Sequence, residues 1–463
     1  MSSQVETLVS VPQRAEDERS FTFVLLAILL FLLFFRPADL FKGLQPLHLA
    51  LLFAVICLFS HFISSQSRSV PIVRFTPITK MLFALTLWAL IGIPFAHWQM
   101  GAFMTFVDDW LKMLMFYLLL ANVMFAVRHF RIAIWICSLS ATFVSITAII
   151  NYLLHGADPS QSGRLTALVN GPYAGANYFS VTIVLMLPFL LFEIFLNPRF
   201  LVRAVSFVCT GILMVANLMT QSRAGVCGMV LVSLAVLWNL RNYGKSLAKI
   251  ALIVAIATPV ALLVAPHSLW DRFSTLFKDY DVDSLGLGGL RGAAGSQRER
   301  LQLIYKAVTL TAQNPVFGVG MGDFSSASSS EWKTGSGRDF VQTHNTYLQY
   351  SAELGVPGIA LYIVLLVMTF RTIRLARDQI PEGGPGTKPY MLKVILDATK
   401  VSFFGYCLTS AFANVGYQPY YFFVAGVAQA AALAVLKVTA NEPEIVPRPA
   451  PAWPPEPAEA PAN

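Results

Sequence analysis

Long apolar segments recur through most of the chain, and they constrain its fold more than any other feature. Several approach the roughly 20 apolar residues that a helix needs to cross a bilayer. Of the 463 residues, 56% are hydrophobic and 13% are charged, and that charged share is about half of what soluble domains carry. The chain is therefore predicted to be an all-α, polytopic membrane protein.

About twelve transmembrane helices are predicted from these segments, with boundaries set where the apolar runs end. Nine fall within residues 21–264 and three within 356–436, on either side of a long polar segment at 265–355. The predicted spans are 21–35, 47–63, 81–95, 110–127, 132–154, 178–196, 204–220, 226–240, 250–264, 356–370, 394–413 and 420–436.

The distribution of Lys and Arg predicts the orientation. Basic residues are frequent in alternate short connections, whereas the other short connections hold only Arg36, Lys42, Arg164 and Arg223. Because cytoplasmic loops carry the excess of positive charge, both termini are expected in the cytoplasm. Residues 265–355 then lie on the outer side, and residues 1–20 form a cytoplasmic segment without a cleavable signal peptide. The Pro- and Ala-rich tail at 437–463 is expected to be cytoplasmic and disordered.

The outer segment 265–355 is too long to be a structureless connection. The sequence SQRE at 296–299 has the pattern of a capping box that begins a helix, and Pro315 predicts its end. The apolar face of this helix is predicted from positions at i, i+3 and i+7, namely Leu301, Ile304 and Val308.

A glycine-rich stretch, GVGMGDF at 318–324, follows that helix. Glycines at this spacing occur in dinucleotide sites only after a strand, and no strand is predicted here. A tight turn with left-handed backbone positions is therefore favoured over direct phosphate contact.

A histidine close to the start of the next helix is the main candidate for chemistry. Thr343 is a plausible N-cap, so that His344 would begin the helix and share a face with Tyr347 and Ser351. The positive end of a helix favours nearby anions and a neutral imidazole, which suits a general base. The alternative is a histidine that merely caps the helix.

Arginines on the outer side form the second candidate group. Arg223, in the motif SRAG at 222–225, joins two predicted spans with almost no loop between them. It either extends to lipid headgroups or faces a cavity and binds an anion. Arg272 and Arg300, with Arg298 beside the latter, are further outer arginines, and guanidinium groups suit bidentate phosphate binding. Together with one histidine, they suggest a lipid-diphosphate substrate.

A metal site is the competing interpretation. Asp108 and Asp109 stand side by side at the outer end of a predicted span and could hold Mg²⁺ or Mn²⁺. Their simpler role is an interfacial cap in which Asp109 pairs with Lys112, and this role is favoured. No HxxxH pair occurs, so a zinc site is not expected.

The outer segment resembles the bacterial O-antigen ligase and O-antigen polymerase superfamily. The motifs that carry the resemblance occur in the matching order: SRAG at 222–225, RF at 272–273, RLQLIY at 300–305, NPVFGVGMGDF at 314–324 and HNTYLQYSAELGVPG at 344–358. The resemblance implies that His344 is catalytic and that Arg223 and Arg272, and less directly Arg300, bind a diphosphate. Asn345 and Tyr347 are expected to support the site or contact the acceptor.

The function that the resemblance implies is transfer of a glycan from undecaprenyl diphosphate to a hydroxyl of lipid A core or a similar acceptor. Transfer is expected at the periplasmic face of the bacterial inner membrane, with inversion and without a metal or other cofactor. The expected partners are the lipid-linked glycan, an acceptor glycolipid, glycan or protein, and the bilayer; nucleic acid is not expected despite the net charge of +8.

Other functions stay open at this point. A polymerase of O-antigen or exopolysaccharide and a protein O-oligosaccharyltransferase belong to the same superfamily. A metal-dependent glycosyltransferase centred on Asp108 and Asp109 is a different class. So is a glycan-lipid transporter, which the short connection at 197–203 and the absence of a repeat between the two halves disfavour.

Overall fold

The computed structural model of the chain describes residues 21–67, 70–156, 163–173, 175–244, 293–330 and 342–440. Every regular element in these ranges is a helix, so the all-α prediction is confirmed for the described part of the chain. The predicted span 250–264, Arg272, the segment 1–20 and residues 441–463 lie outside the described residues.

Fifteen α-helices are described, and they are numbered here in chain order. The first eight are α1 (Phe21–Phe35), α2 (Pro37–Leu40), α3 (Leu49–Ser67), α4 (Pro77–Gly92), α5 (Gln99–Thr105), α6 (Lys112–Val123), α7 (Val127–His155) and α8 (Ala176–Leu196). The others are α9 (Phe200–Met219), α10 (Arg223–Leu240), α11 (Ala293–Gln313), α12 (Phe324–Ser330), α13 (Thr346–Asp378), α14 (Lys388–Ser410) and α15 (Pro419–Ala440). Short 3₁₀ turns and one π-helical turn at Phe106–Leu111 join some of them.

Eight helical segments of the described chain are long and apolar enough to cross a membrane, which supports a multi-pass membrane protein. The helix α1 is apolar but shorter. The predicted count of twelve is not confirmed. Two of the predicted spans, 110–127 and 394–413, are not among these eight segments. The first corresponds to α6, which follows the turn that holds Asp108 and Asp109, and the second corresponds to α14, which holds Asp397 and Lys400.

Burial identifies which helices are central. In the most apolar part of α8, 78% of residues are buried inside the protein, whereas in the segment that contains α3 only 11% are. The helix α8 packs against α9, α10 and α14, and α15 packs against α6, α13 and α14. The large apolar side chains that α3 exposes are what a lipid-facing helix presents, since lipid rather than protein covers them.

The carboxylate of Asp397 is fully buried where α10, α13 and α14 meet. It accepts hydrogen bonds from Arg377 Nε at 2.7 Å and from Tyr243 Oη at 2.8 Å. Lys400 Nζ, one turn further along α14, lies 3.5 Å from Asp397 Oδ1. A buried carboxylate needs such partners because an isolated buried charge is costly.

The helix α13 is broken at Gly355, which has a φ of +71°. Two carbonyls before the break, those of Ala352 and Glu353, lose their partners within the helix, because Val356 N donates to Pro315 O and Pro357 has no N–H. Other parts of the chain bind this end of the helix: Val319 N donates to Ala352 O at 2.9 Å, Gly320 N to Glu353 O at 3.0 Å and Trp88 Nε1 to Leu354 O at 2.9 Å. The piece 346–354 is thus fixed at an angle that a continuous helix would not allow.

The glycine-rich stretch is the turn that fits against this break. A Cβ atom on Gly318, whose φ is +68°, would lie 2.4 Å from the carbonyl carbon of Glu353, so only glycine allows this approach. Gly322 N donates to Glu353 Oε2 at 2.9 Å. The backbone N–H groups of residues 319, 320 and 322 are therefore used inside the protein, as the tight-turn interpretation predicts.

The helix α11 differs from its prediction at its start and at its buried face. It already includes Ala293, so Ser296 lies inside the helix and is not its cap. Its buried side chains are Leu303, Ala307 and Leu310, which pack with Phe324 of α12 and Ala352 of α13, whereas Leu301, Ile304 and Val308 are exposed. Two neighbouring faces of this helix are apolar, and periodicity alone selects the wrong one. The predicted end before Asn314 is confirmed.

Candidate functional site

His344 precedes α13 and does not begin it. Its backbone is left-handed, with a φ of +50°, a conformation that cannot continue into a right-handed helix and that is strained for a residue with a Cβ. The N-cap is Asn345, whose side chain accepts hydrogen bonds from Tyr347 N at 2.9 Å and Leu348 N at 3.1 Å. The predicted cap at Thr343 is therefore wrong, and His344 does not share a helical face with Tyr347 and Ser351.

The residues on both sides of His344 are tied to the connection between α14 and α15. Gln342 Oε1 accepts a hydrogen bond from Asn414 Nδ2 at 2.7 Å. Thr346 Oγ1 donates to Ala413 O at 2.7 Å and accepts from Val415 N at 3.0 Å. These bonds hold the histidine in a fixed position.

The imidazole of His344 is mostly buried and feels the positive charge of two arginines. Burial, the guanidinium of Arg300 and the guanidinium of Arg164, in that order, lower its pKa to about 4. Both effects disfavour the protonated form, since burial and like charges oppose a further positive charge. At neutral pH the ring is therefore uncharged, with one nitrogen able to accept a proton. Of the arginines that were expected to bind a diphosphate, Arg300 on α11 is the one whose charge acts on His344.

Arg164 is a site residue that sequence reasoning missed. Its Nε donates to Thr220 O at 2.9 Å and its Nη2 to Asn177 Oδ1 at 2.7 Å. The loop that carries it is docked on the end of α9, where Leu165 N donates to Met219 O at 3.0 Å. The sequence offered one signal, since Arg164 is among the few basic residues in the outer short connections.

Arg223 lies three residues after Thr220, whose carbonyl oxygen accepts the hydrogen bond from Arg164. Ser222 is the N-cap of α10 and accepts a hydrogen bond from Gly225 N. The Ser222 hydroxyl donates at 3.1 Å to Asn177 Oδ1, the same oxygen that accepts from Arg164. Arg223, the first residue of α10, is partly buried. The SRAG motif therefore places Arg223 directly after the turn that Arg164 contacts.

Two other predicted site residues, Tyr347 and Asn345, have structural partners. The hydroxyl of Tyr347 donates to Cys407 O at 2.9 Å, and the Asn345 side chain caps α13, so both support the segment that carries His344. Arg272 lies outside the described residues.

Glu353 is a buried residue that the sequence analysis did not single out. It is fully buried, and its Oε2 atom accepts hydrogen bonds from Tyr417 Oη at 2.5 Å, Gly322 N at 2.9 Å and Gln349 Nε2 at 3.4 Å. It thereby links α13, the glycine turn and the connection before α15. A buried carboxylate with several donors is costly to remove, because each donor would lose its partner.

Asp108 pairs with Lys112 across one helical turn, at 2.9 Å. The expected partner of Lys112 was Asp109, and the pairing at i+4 replaces the one at i+3. In the described ranges, no three His, Cys, Asp or Glu side chains are grouped closely enough to hold a metal ion. The ion pair that Lys112 forms here is therefore made by Asp108 and not by Asp109.

Comparison with known proteins relates part of the chain to a family. The family model described as O-antigen ligase matches residues 204–363, a range that contains the SRAG motif, Arg300, the glycine turn and His344. No curated protein matches the chain. Residues 204–363, about a third of the chain, are therefore similar to the O-antigen ligase family, in agreement with the resemblance that the sequence motifs carry.

Proposed function

We propose that this protein transfers a glycan from undecaprenyl diphosphate to an acceptor hydroxyl, in the manner of an O-antigen ligase. The acceptor is a lipid A core or a similar glycolipid. The reaction takes place at the periplasmic face of the bacterial inner membrane, with both termini in the cytoplasm.

The proposal is supported by the fold bringing His344 into the electrostatic range of Arg300 and Arg164, where burial and these two charges lower the pKa of its imidazole. A diphosphate needs cationic, preferably bidentate partners, and an attacking hydroxyl needs a base within reach. The proposed diphosphate ligands are Arg164, Arg223 and Arg300, together with Arg272.

The proposed reaction is a single displacement. The acceptor oxygen attacks the anomeric carbon and forms a new C–O bond, while the bond from that carbon to the phosphate oxygen breaks with its electron pair. The hydroxyl proton passes to His344, and undecaprenyl diphosphate leaves as an anion that the arginines stabilise. Attack opposite to the leaving group inverts the anomeric configuration. No step requires a metal.

Substrate binding would make the histidine a better base. In the free protein, a pKa of about 4 makes His344 a weak proton acceptor, because catalytic power rises as the pKa approaches the working pH. A bound diphosphate would offset the positive charges of Arg300 and Arg164 and so raise the pKa of the imidazole. The base would then become effective when the donor is in place.

The test is incubation of the purified protein with a polyprenyl-diphosphate glycan and a panel of acceptors, with and without EDTA. Wild type is expected to form the linked product in both conditions, and His344→Ala is expected to form none, since a positioned base contributes about 10²–10⁴ in rate. Transfer by His344→Ala within a few-fold of wild type would refute the role of the histidine. Thermal unfolding of both proteins controls for misfolding.

The acceptor panel separates the related functions. A repeat unit as the preferred acceptor would indicate a polymerase, and a Ser, Thr or Tyr side chain would indicate a protein O-oligosaccharyltransferase. Movement of the lipid-linked glycan across vesicles without any covalent transfer would instead favour a transporter.

A further inference from the structure

The amide oxygen of Asn177 is the point at which two parts of the candidate site are joined. It accepts one hydrogen bond from Arg164 Nη2 at 2.7 Å and another from the Ser222 hydroxyl at 3.1 Å. A guanidinium group has only donors, so the oxygen of the amide, and not its nitrogen, must face Arg164. Asn177 lies in the first turn of α8, and it therefore connects the loop of Arg164 to the start of α10 through a third element.

The loop of Arg164 and the turn between α9 and α10 also contact each other directly. Three hydrogen bonds join them: Leu165 N to Met219 O at 3.0 Å, Arg164 Nε to Thr220 O at 2.9 Å and Gln221 Nε2 to Gly163 O at 3.4 Å. Gln221 has a left-handed backbone, with a φ of +52°, and such strain persists where the surrounding structure imposes it. The turn that precedes Arg223 is therefore held in one conformation.

Ser222 transmits this order to α10. Its hydroxyl accepts a hydrogen bond from Gly225 N at 3.3 Å, as the N-cap of the helix, and donates to Asn177 Oδ1. Arg223 follows Ser222 directly, so the bond to Asn177 fixes the backbone from which the Arg223 side chain extends. One oxygen atom of Asn177 consequently sets the position of the Arg164 guanidinium relative to the start of the Arg223 side chain.

An asparagine is suited to hold a cation without adding a charge of its own. Both oxygens described as acceptors for Arg164, Thr220 O and Asn177 Oδ1, are neutral. An aspartate has almost the same shape as an asparagine and would bind the guanidinium more strongly, but its negative charge would oppose that of an incoming phosphate. The amide of Asn177 instead orients the guanidinium and brings no repulsion towards an anion.

We propose that Asn177 is a positioning residue of the donor site: by holding Arg164 and the N-cap of α10 on one oxygen, it spaces Arg164 and Arg223 for two linked phosphates and makes the site selective for a diphosphate over a monophosphate. The proposal rests on the proposed function, and it names a residue that selects the head group of the donor. A monophosphate lipid with the same hydrocarbon chain would otherwise compete for the site.

The test compares binding of undecaprenyl diphosphate and undecaprenyl monophosphate to the purified full-length protein by native mass spectrometry. Wild type is expected to bind the diphosphate at least about tenfold more tightly. In Asn177→Ala the two dissociation constants should differ by less than about threefold, because the two guanidinium groups lose their fixed spacing. An unchanged ratio in a folded Asn177→Ala protein would overturn the proposal.

Asn122→Ala is the matched control. Asn122 lies one residue before the end of α6, and its Oδ1 accepts a hydrogen bond from Arg74 N at 3.1 Å, on the side predicted to be cytoplasmic. Both substitutions remove an amide oxygen that binds an arginine residue, but the control should keep the wild-type ratio. If both variants lower the ratio equally, the effect is a general loss of stability and Asn177 has no special role.

Asn177→Asp keeps the proposal testable if Asn177→Ala does not fold. The aspartate retains an acceptor for Arg164 and for Ser222, so the fold should be preserved. Its charge is expected to weaken binding of the diphosphate more than binding of the monophosphate, because the diphosphate carries the larger negative charge. Wild-type binding of both lipids by Asn177→Asp would contradict the placement of the phosphates beside Arg164.

Failure of this inference and failure of the proposed function have different signatures. A wild-type protein that prefers the diphosphate, and that loses this preference in Asn177→Ala, but transfers no glycan would refute the proposed function and support the role of Asn177. A wild-type protein that transfers a glycan but binds the two lipids equally would support the proposed function and refute the selectivity that Asn177 is proposed to confer.

Discussion

The guanidinium of Arg300 and the imidazole of His344 lie close enough for the arginine to lower the pKa of the histidine. The two residues belong to α11 and to the residues just before α13, which pack together through Leu303, Ala307 and Ala352. A cation beside a base weakens that base in the empty site. In the proposed mechanism, a bound diphosphate offsets this charge.

The acid limb of the pH–rate profile is expected to differ between kcat/KM and kcat. The limb of kcat/KM reports the free protein and should fall near pH 4, following the lowered pKa of His344. The limb of kcat reports the substrate complex and should lie at higher pH, because the diphosphate offsets the arginine charges. In Arg300→Gln the acid limb of kcat/KM should move to higher pH, because the imidazole has lost a neighbouring positive charge. Coincident limbs in wild type would contradict this coupling.

The same lowered pKa predicts how stability depends on pH. Between about pH 6.5 and pH 4, the unfolded chain binds a proton at His344 and the folded protein does not. This residue therefore contributes stability that is present above pH 6.5 and is lost as the pH falls towards 4. In detergent, His344→Gln should reduce the loss of thermal stability over this window. An identical pH dependence in the variant would argue against a lowered pKa.

Arg164→Gln is expected to raise KM for the lipid-linked donor and to lower kcat. The variant loses a charge beside His344 and the hydrogen bonds to Thr220 O and Asn177. Arg203→Gln is the matched control, because Arg203 Nε also donates to a backbone carbonyl, that of Ile194, at 2.9 Å. The control should retain wild-type kinetics. If both substitutions change the KM for the donor equally, Arg164 has only a structural role.

Gly355→Ala should destabilise the protein strongly. A Cβ at this left-handed position would lie 2.2 Å from Val316 O, and a non-glycine residue in such a conformation costs roughly 1–3 kcal/mol before any clash. Gly211→Ala, in α9 with nothing within 4 Å of the new Cβ, should be neutral or slightly stabilising. Thermal unfolding of the two variants in parallel measures the contrast, and similar melting temperatures would disprove it.

Tyr347→Phe is expected to keep most of the transferase activity. The lost hydroxyl donates to Cys407 O, so the cost falls on stability, at roughly 0.5–1.5 kcal/mol. Steady-state kinetics of Tyr347→Phe and His344→Gln, measured side by side, distinguish a structural role from a role in the reaction. A loss of kcat as large as that of the histidine variant would indicate that Tyr347 acts in the reaction and does not only support the segment that carries His344.

The sequence predicted the helical fold and most spans, because apolar length is a strong local signal. It also predicted that the segment bearing His344 and the segment bearing Arg300 belong to one outer region. It did not predict the cap of α13, since Thr343 and Asn345 are both good cap residues and only the left-handed backbone of His344 separates them. Local pattern is insufficient where two choices fit equally well.

Tertiary contacts account for the other misses. The role of Arg164 depends on docking of its loop against the end of α9, which no local pattern encodes. The network of Glu353 depends on residues more than thirty positions away in the sequence, such as Gly322 and Tyr417. The buried face of α11 is set by α12 and α13, which cover one of its two apolar sides.

The break in α13 has a consequence for what holds the histidine in place. The hydrogen bonds around the segment that bears His344 come from Trp88, from the glycine turn and from the connection between α14 and α15. These three parts are far apart in the sequence and meet only when the helices pack. The orientation of the imidazole is therefore a property of the assembled helices and not of the short stretch that contains it.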